Sequence, residues 1–534
     1  MRRRTAIETV PSAYAKITRP RPIVFHQGER NYGIKTNLPP ETVQWSSGRN
    51  MRFRAGCAYE HPGRVLITTV PDGNPILKIF RMGDLGDVVE WHIVVTTAHV
   101  YAYYHDFTAH QDITPADFVS GLNWSVSIVA GLPIISNEHA HWQWPATSGP
   151  LLALPGPYFP PVGAVAAVNF DRRLFTLGNG VFKNRMNWSG IADPTHNDQS
   201  PDAALEAVHG RAGEQDLILN KQGGSVMESG RALVTHANNL YAFTDRRIWT
   251  VVRFPSPHDY AMAPLQFDHA PLSASKCAVP VDAPHAKGVF YMGPDDFYLL
   301  NASEVTPVGE DVKNVCFPNL NGANMENSFG FYNPATMEVF FNVPTGAKIL
   351  PDTSFIYHTV LKNWAIADCN VTCQSAAVMQ NPTATLVQTA WQDSTASWLN
   401  LPAGGVLPYS VLGDSQGNLW RMDASPSDNG KAVTCRIETG AMGDGVRRLK
   451  FDKVFLNFRT SGVGSNVFVQ CGAQETTNSP VDWDPPARFV VGQDKYVRSR
   501  KQGWFLKLRI YSQNANFTNV MDGFSIEYSF LGGR

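Results

Sequence analysis

Short apolar stretches recur in pairs from about residue 64 to residue 430, and a few turn-forming residues separate the two members of each pair. Residues 288–292 and 297–300 flank Gly293, Pro294, Asp295 and Asp296, for example. β-Branched and aromatic residues favour pleated strands, whereas Asn, Asp, Gly and Pro favour turns, so each pair predicts a β-hairpin. The same pattern predicts hairpins over 65–80, 232–243, 328–341 and 409–422.

Repeated hairpins with aromatic residues at matching places are typical of propeller blades. A small twisted sheet cannot bury both of its faces alone, so blades pack face to face. We therefore predict an all-β fold, a β-propeller built from antiparallel hairpin blades. A stacked β-sandwich is the alternative, because regular hairpins also build sandwiches. Helix is predicted only over a short segment beginning at Thr114-Pro115-Ala116-Asp117 and in the Ala-rich segment 201–208.

The two ends of the chain differ from this middle part. Residues 1–63 are rich in Arg, Pro and Gly and predict an extended N-terminal docking arm, with a disordered tail as the alternative. Residues 64–430 are assigned to the β-propeller. Residues 431–534 contain alternating strands at 454–459, 466–471, 504–510 and 523–528, which predict a C-terminal antiparallel β-sandwich or closing blades.

Composition narrows the functional classes. The 45 Lys and Arg residues against 46 Asp and Glu give a net charge of -1, so there is no global basic field to attract nucleic acid. Charged residues make up only 17% of the chain, which favours extensive buried surface in the core or between subunits. The seven scattered cysteines do not resemble a disulfide scaffold and favour a reducing compartment. Neither a signal peptide nor an apolar span is recognised, so we expect a soluble protein made in a cytoplasm.

Candidate chemical groups are few, and each has a simpler structural interpretation. His139 and His141 would share one face of a strand, but no third metal ligand accompanies them. Asp295-Asp296 lies in a predicted hairpin turn, and Glu310-Asp311 follows a Gly between blades. A glycosidase pair of carboxylates stays an alternative. We therefore predict no enzyme, no catalytic, cofactor or metal residue and no cofactor, and we assign no binding residue. The candidates considered are His99, His105, His110, His139, His141, Cys369, Cys373, Asp295, Asp296, Glu310 and Asp311.

A basic strip near the C-terminus carries interleaved aromatic residues. Contact with DNA phosphates is one interpretation. A charged solvent face or a subunit contact is the favoured one, because the rest of the chain is neutral. The strip comprises Lys495, Arg498, Arg500, Lys501, Lys507 and Arg509 with Tyr496, Trp504 and Phe505.

Several phrases resemble the tail nozzle and tail hub proteins of short-tailed bacteriophages. The most specific begins with Asp171-Arg172-Arg173-Leu174-Phe175. It continues with Asn187-Trp188-Ser189-Gly190-Ile191-Ala192-Asp193-Pro194-Thr195. Further similarity lies in the opening segment 32–64, in 131–137 and in the closing segments 470–474 and 498–503 with Leu531-Gly532-Gly533-Arg534. The resemblance covers most of the chain, although 300–430 matches only in the rhythm of its hairpins.

The resemblance implies a virion structural protein that forms a ring, typically a homo-hexamer, in the phage tail below the portal and adaptor. Such a ring continues the DNA channel, helps to retain the genome and takes part in ejection. The implied partners are the tail adaptor protein, tail fibres or spikes, genomic DNA in passing and the host cell surface. Assembly would take place in the host cytoplasm. The alternatives are a propeller-type glycan-degrading enzyme and a carbohydrate-binding adhesin.

Overall fold

The computed structural model of the 534-residue chain describes most of the molecule. The described residues are 21–24, 34, 45–54, 57–82, 91–104, 106–145, 148–154, 163–179, 181–195, 212–221, 224–253, 260–265, 271–302, 304–378, 408–443, 445–460, 464–514, 516 and 519–533.

Seven four-stranded antiparallel sheets follow one another along the middle of the chain. Blades 1 to 3 contain Ile76–Met82, Trp91–Thr96, Val100–Tyr104 and His110–Asp112; then Trp124–Val129, Leu132–Asn137, His141–Gln143 and Leu152–Ala153; then Ala166–Phe170, Arg173–Leu177, Arg185–Trp188 and Gly213–Asp216. Blades 4 and 5 contain Gly230–His236, Asn239–Thr244, Ile248–Arg253 and Tyr260–Pro264; then Ala278–Ala283, Ala286–Met292, Phe297–Asn301 and Glu304–Pro307. Blades 6 and 7 contain Phe329–Asn333, Glu338–Val343, Thr353–His358 and Asn363–Asp368; then Cys373–Val378, Pro408–Gly413, Asn418–Ser425 and Gly63–Thr69.

The first strand of each sheet lies beside the first strand of the next sheet, and Cys373–Val378 of blade 7 lies beside Ile76–Met82 of blade 1. The seven sheets therefore form a closed ring, which is a seven-bladed β-propeller and confirms the predicted fold class. Gly63–Thr69 closes the ring as the outer strand of blade 7. Thr69 Oγ1 donates a hydrogen bond of 2.8 Å to Asn418 Oδ1 there.

Ring closure corrects one predicted hairpin. The prediction paired the two strands within 65–80, but Gly63–Thr69 pairs with the third strand of blade 7 and Ile76–Met82 begins blade 1. The other four predicted hairpins are present, with pairs such as Val289–Leu300 and Phe331–Phe340 in register. A hairpin pattern and a blade-to-blade linker carry the same turn residues, so local sequence cannot distinguish them.

Apolar side chains fill the space between neighbouring blades. Between blades 3 and 4, Phe175, Met186 and Trp188 share a buried cluster with Leu240 and Trp249. Fully burying each side chain of this size contributes roughly 1.5–3 kcal/mol. The alternation along the strands thus places one apolar set against each neighbouring blade.

A carboxylate accepts the indole N–H of a tryptophan in the third strand of three blades; Glu228 and Asp414 are buried, whereas Asp117 is exposed. Burial without a partner would leave the indole N–H unsatisfied, so these pairs let large rings enter the core. The pairs are Trp142 with Asp117 at 2.9 Å, Trp249 with Glu228 at 3.0 Å and Trp420 with Asp414 at 2.8 Å.

The predicted helix at residue 114 is wrong. The segment is a turn in which Phe118 N donates to Pro115 O at 3.2 Å. Thr114 Oγ1 accepts from Val100 N at 3.0 Å, so it joins two parts of blade 1 and does not cap a helix. Segment 201–208 lies outside the described residues. The described helices are the α-helical turn Lys313–Cys316 and the 3-10 segments Phe317–Asn319 and Gly322–Asn327. None of them is long and apolar enough to cross a bilayer.

A second compact unit is a two-sheet β-sandwich. Trp45 and Glu60 belong to its core, so part of the N-terminal segment packs in this unit. Trp45 is 1% exposed and its ring lies 5.3 Å from that of Phe524. Glu60 accepts from Asn519 N at 2.9 Å and from Asn519 Nδ2 at 2.7 Å. The seven-stranded sheet contains Arg21–Val24, Met51–Arg54, Cys57–Glu60, Arg447–Thr460, Val497–Arg498, Gln502–Gly503 and Val520–Gly533. The six-stranded sheet contains Trp45–Arg49, Val433–Thr439, Asn466–Gln474, Asp482–Trp483, Ala487–Val490 and Phe505–Asn514.

The structure divides the chain differently from the three predicted domains. One compact unit comprises residues 1–63, 363–367 and 425–534, and the other comprises 64–362 and 368–424. The described strands of 45–60 therefore belong to the C-terminal sandwich and do not form an independent arm. Their strands have only four or five residues each, which is too short for alternation to stand out among the prolines and glycines. A separate hairpin, Ile218–Lys221 with Gly224–Met227, follows blade 3.

Candidate functional site

The two most specific phrases of the sequence lie in one blade and bind each other. Arg173–Leu177 and Arg185–Trp188 are neighbouring strands of blade 3, with Phe175 opposite Trp188. Leu174 N donates to Ser189 Oγ at 3.0 Å, and Ser189 N donates to Leu174 O at 3.0 Å. The buried Arg173 guanidinium donates to Ser189 O at 2.7 Å. Trp188 and Ser189 therefore fix the third strand to the second.

The rest of the second phrase forms a tight turn against the first. Ala192 takes a left-handed conformation at φ 58° and its N–H donates to Arg172 O at 2.8 Å. Asp193 Oδ1 accepts from Thr195 N at 2.9 Å and from Thr195 Oγ1 at 2.6 Å. An Asp that binds the backbone two residues later stabilises such turns. The polar residues of the phrase thus have structural partners.

Tyr260 of blade 4 contacts the same region. Its hydroxyl donates to Asp171 Oδ2 at 2.6 Å, and its ring stands at 70° to Trp188 with centroids 6.0 Å apart. The Arg173 guanidinium lies 5.4 Å from the centre of that ring. Burial raises the pKa of Tyr260, and the bond to Asp171 raises it further, so the hydroxyl stays a donor at neutral pH. We call Asp171, Arg173, Trp188, Ser189 and Tyr260 the motif unit. Its hydrogen bonds and ring contacts hold blades 3 and 4 together.

Among the described residues, six exposed apolar side chains lie on one face of the propeller, and Tyr104, Met337 and Val360 lie on the other. In a four-stranded meander, the loop between the second and third strands lies at the same end as the linker to the next blade, and we call that end the linker face. Val181 is 67% exposed, Ile349 62% and Leu122 55%. Contiguous or clustered exposed apolar groups mark contact surfaces. The exposed apolar residues of this face are Val119, Leu122, Val181, Phe182, Ile349 and Leu350.

The structure separates the side chains that were considered as metal ligands. His139 is exposed in the turn of blade 2, whereas His141 is 7% exposed and its Nδ1 lies 2.7 Å from Ser136 Oγ. Burial raises the pKa of both the Cys369 and Cys373 thiols to about 11, which keeps them protonated. Within the described ranges, no group of three or more His, Cys, Asp or Glu side chains has the placement that a metal ion needs. All seven cysteines lie in these ranges and are free thiols.

Of the other candidate histidines, His99 and His110 belong to blade 1. His99 Nδ1 lies 3.0 Å from Asp112 Oδ2 at the surface, and His110 packs its ring 5.1 Å from that of Tyr103. His105 lies outside the described residues. The pairing of His99 with a surface carboxylate is the kind of hydrogen-bonded arrangement that the sequence favoured.

The acidic candidates are also held in turns. Asp296 is 3% exposed and accepts from Gly309 N at 2.9 Å and from Lys313 Nζ at 3.0 Å. Asp295 Oδ1 accepts from the Tyr298 hydroxyl at 2.8 Å. Glu310 is exposed nearby. Asp295 and Asp296 therefore point to different partners and are not arranged as an acid and base pair.

The predicted basic strip divides between the two sheets of the sandwich. Arg498 and Tyr496 lie beside the seven-stranded sheet, where the Arg498 guanidinium is 5.6 Å from the Tyr496 ring centre. Lys507 and Arg509 lie on the middle strand of the six-stranded sheet. Lys501 pairs with Asp482 at 2.8 Å. Among the remaining members, Lys495 and Arg500 are exposed and Trp504 and Phe505 are half-buried.

Two lysines near the inner strands, Lys78 and Lys276, were not among the predicted site residues. Lys78 lies on the first strand of blade 1, and Lys276 lies just before that of blade 5. Burial, and then the charge of Lys276, lower the pKa of Lys78; burial also lowers the pKa of Lys276. No ion pair between described residues includes either lysine. Nothing in the local sequence marks them, because their proximity depends on the closed ring.

Comparisons with known proteins find only a distant similarity among solved structures. No family model matches the chain, and no curated protein matches it. Among solved structures, the chain is similar to the β-propeller domain of Myceliophteria thermophila Cps50 (Swd1), with 9% identity and a TM-score of 0.36, over 68% of this chain and 100% of that one. At that level of similarity, the propeller assignment rests on the sheet order of this chain itself.

Proposed function

We propose that this protein is a non-enzymatic structural component of a bacteriophage virion, a tail nozzle or hub subunit that assembles into a ring below the portal and adaptor. The observation that carries the proposal is the motif unit. The two phrases most similar to the nozzle family are joined in one blade by the Arg173–Ser189 and Leu174–Ser189 hydrogen bonds. They act as one structural element, as expected if they were inherited together.

Two surface properties support an assembly role. The apolar residues of the linker face provide contact area that a monomer would leave in water. The net charge of -1 suits a ring whose lumen lets DNA pass without holding it. A ring structure with a strongly basic lumen would contradict this second point.

A phage genetic experiment tests the function directly. A nonsense mutation in this gene should give particles that package DNA but lose it, so that their genomes become sensitive to DNase. Supplying the wild-type protein in trans should restore protection. Supplying a V181S/F182S double variant should restore it less well, whereas V446S should behave as wild type, because Val446 is 58% exposed but lies in the sandwich unit. Fully protected genomes without the protein would contradict the proposal.

A further inference from the structure

One row of side chains crosses the outer face of the six-stranded sheet. Arg49 lies opposite Arg436, Arg436 opposite Tyr511, Tyr511 opposite Phe468, and Phe468 opposite Arg488. Directly opposite residues share one face of a sheet, so all five side chains project from the same side. We call these five residues the arginine–aromatic row.

The row faces solvent. Arg436 and Arg488 are exposed, and Phe468 and Tyr511 are half-buried, whereas the next residues along the same strands, such as Ile437 and Ile510, are buried. The Phe468 and Tyr511 rings are stacked, with centroids 5.3 Å apart and an interplanar angle of 19°. The aromatic pair therefore stands between arginines on an accessible surface.

The charge of this face is strongly one-sided. In the next row along the sheet, Glu438 accepts from Arg509 Nε at 2.7 Å, and Arg436 Nε lies 3.5 Å from the same carboxylate. Arg509 also stacks 4.0 Å over Trp483. Lys507 adds another cation to the strand of Tyr511. Among the described strand residues of this face, Glu438 is thus the one carboxylate beside several cations, in a chain whose total charge is almost balanced.

The spacing of the row matches a nucleic-acid strand. Neighbouring strands lie about 4.8 Å apart, so Arg436 and Arg488 are separated by roughly 14 Å across three spacings. Each strand of duplex DNA carries one phosphate per roughly 3.4 Å of helix axis, and an unstacked single strand is longer per nucleotide. Arg436 and Arg488 can therefore contact phosphates a few nucleotides apart while the intervening bases meet Tyr511 and Phe468.

We propose that the arginine–aromatic row binds single-stranded nucleic acid, with Arg436 and Arg488 on phosphates and its aromatic pair against bases. Arginine binds phosphate through two parallel N–H groups, and aromatic side chains supply stacking that accepts any base. Arg488 is well placed for this, because Asn466 Oδ1 accepts its Nε at 2.7 Å and orients the guanidinium. An acidic protein surface would use the arginines but would give the rings no comparable role.

The inference goes beyond the proposed tail function and does not depend on it. A duplex hides the faces of its bases, so the aromatic pair favours a single strand over a duplex that passes through a tail. Ring assembly is measured separately, and failure of either idea leaves the other to its own test.

Fluorescence anisotropy with the full chain and a labelled oligo-dT of twenty nucleotides provides the test. We expect oligo-dT to bind more tightly than a duplex of equal length or polyglutamate. The two phosphate contacts of Arg436 and Arg488 on a single strand predict a slope of about -1.4 for log K against log salt. R436Q and R488Q should each reduce the magnitude of that slope by about 0.7.

The aromatic contribution has its own variants. F468L and Y511L keep an apolar side chain on the sheet but remove the ring, and each should weaken oligo-dT binding by about tenfold without changing the salt slope. Y409L and R421Q are the matched controls, since this aromatic and arginine pair, 5.0 Å apart, lies in blade 7 of the propeller. Both should bind as wild type does.

Three results would overturn the proposal. The first is no binding of oligo-dT at low salt. The second is equal loss of binding in the controls and in the row variants. The third is binding of duplex or polyglutamate as tightly as oligo-dT, with F468L and Y511L unchanged, which would make this face a docking surface for an acidic protein.

Discussion

His141 gives the chain a specific sensitivity to acid. The side chain is 7% exposed, and burial lowers its pKa from the ordinary 6.5 to about 4. Between pH 6.5 and about 4, His141 is therefore mostly protonated in the unfolded chain and mostly neutral in the folded protein. The stability that depends on neutral His141 is complete above pH 6.5 and is lost as the pH falls toward 4.

The size of the effect follows from those two pKa values. At pH 5 the unfolded histidine is almost fully protonated and the folded one is almost fully neutral, which costs about 2 kcal/mol of folding free energy relative to pH 7. H141Q cannot be protonated and should remove this part of the pH dependence. H139Q should not remove it, because His139 is the exposed neighbour in the same turn.

Urea unfolding at pH 7 and pH 5 measures the difference. Wild type and H139Q should lose about 2 kcal/mol more than H141Q between the two pH values. In a histidine-labelled NMR titration, the resonance absent from H141Q should titrate near pH 4. The reasoning would be refuted if the His141 resonance titrated near pH 6.5, or if wild type and H141Q lost equal stability between pH 7 and pH 5.

Three further substitutions test other parts of the structure. Glu60→Ala should lower the free energy of unfolding of the sandwich by about 3 kcal/mol, because it leaves the buried donors of Ser512 and Asn519 without their acceptor. Urea denaturation measures this loss, and a loss below about 1 kcal/mol would contradict the prediction. Gly213→Ala should lower the free energy of unfolding by about 2 kcal/mol, because a Cβ there would lie 2.4 Å from the Trp188 ring. Gly322→Ala is the control, since a Cβ there meets nothing within 4 Å, and thermal melting should show it to be nearly neutral. Lys78→Met should raise the melting temperature at pH 7. A lowered lysine pKa penalises the charged form, so the gain should shrink as the pH approaches 10.5; an unchanged gain at pH 10 would contradict the burial of Lys78.

The repeating hairpins could be predicted because each is a local event. Residues 288–292 and 297–300 carry their own turn, and the structure pairs Val289 with Leu300 as the pattern requires. The closure of the ring could not be predicted in this way. The bond between Thr69 and Asn418 joins residues 349 positions apart, and no local pattern records that distance.

The same limit explains the domain boundaries. Glu60 and Asn519 lie 459 positions apart in the chain, so the sequence of 45–60 alone does not reveal its partner strands. The prediction of an arm followed from the prolines and glycines of the first 63 residues. The C-terminal strands, with longer alternating runs such as Phe505–Asn514, were predicted well.

The candidate sites divide along similar lines. The phrase around Trp188 was conspicuous in the sequence, and its two parts lie close enough in the chain to share one blade. The arginine–aromatic row was not conspicuous, because Arg49, Arg436 and Arg488 come from three distant segments. Of the predicted basic strip, Phe505, Lys507 and Arg509 lie on a strand of the sheet that carries the row.

The mass of the purified protein in solution, with and without its neighbouring tail adaptor, tests the central claim most directly. The proposed tail function predicts closed rings of about six copies, formed alone or on the adaptor and visible by negative-stain imaging. A persistent monomer that ignores the adaptor at high concentration would contradict it.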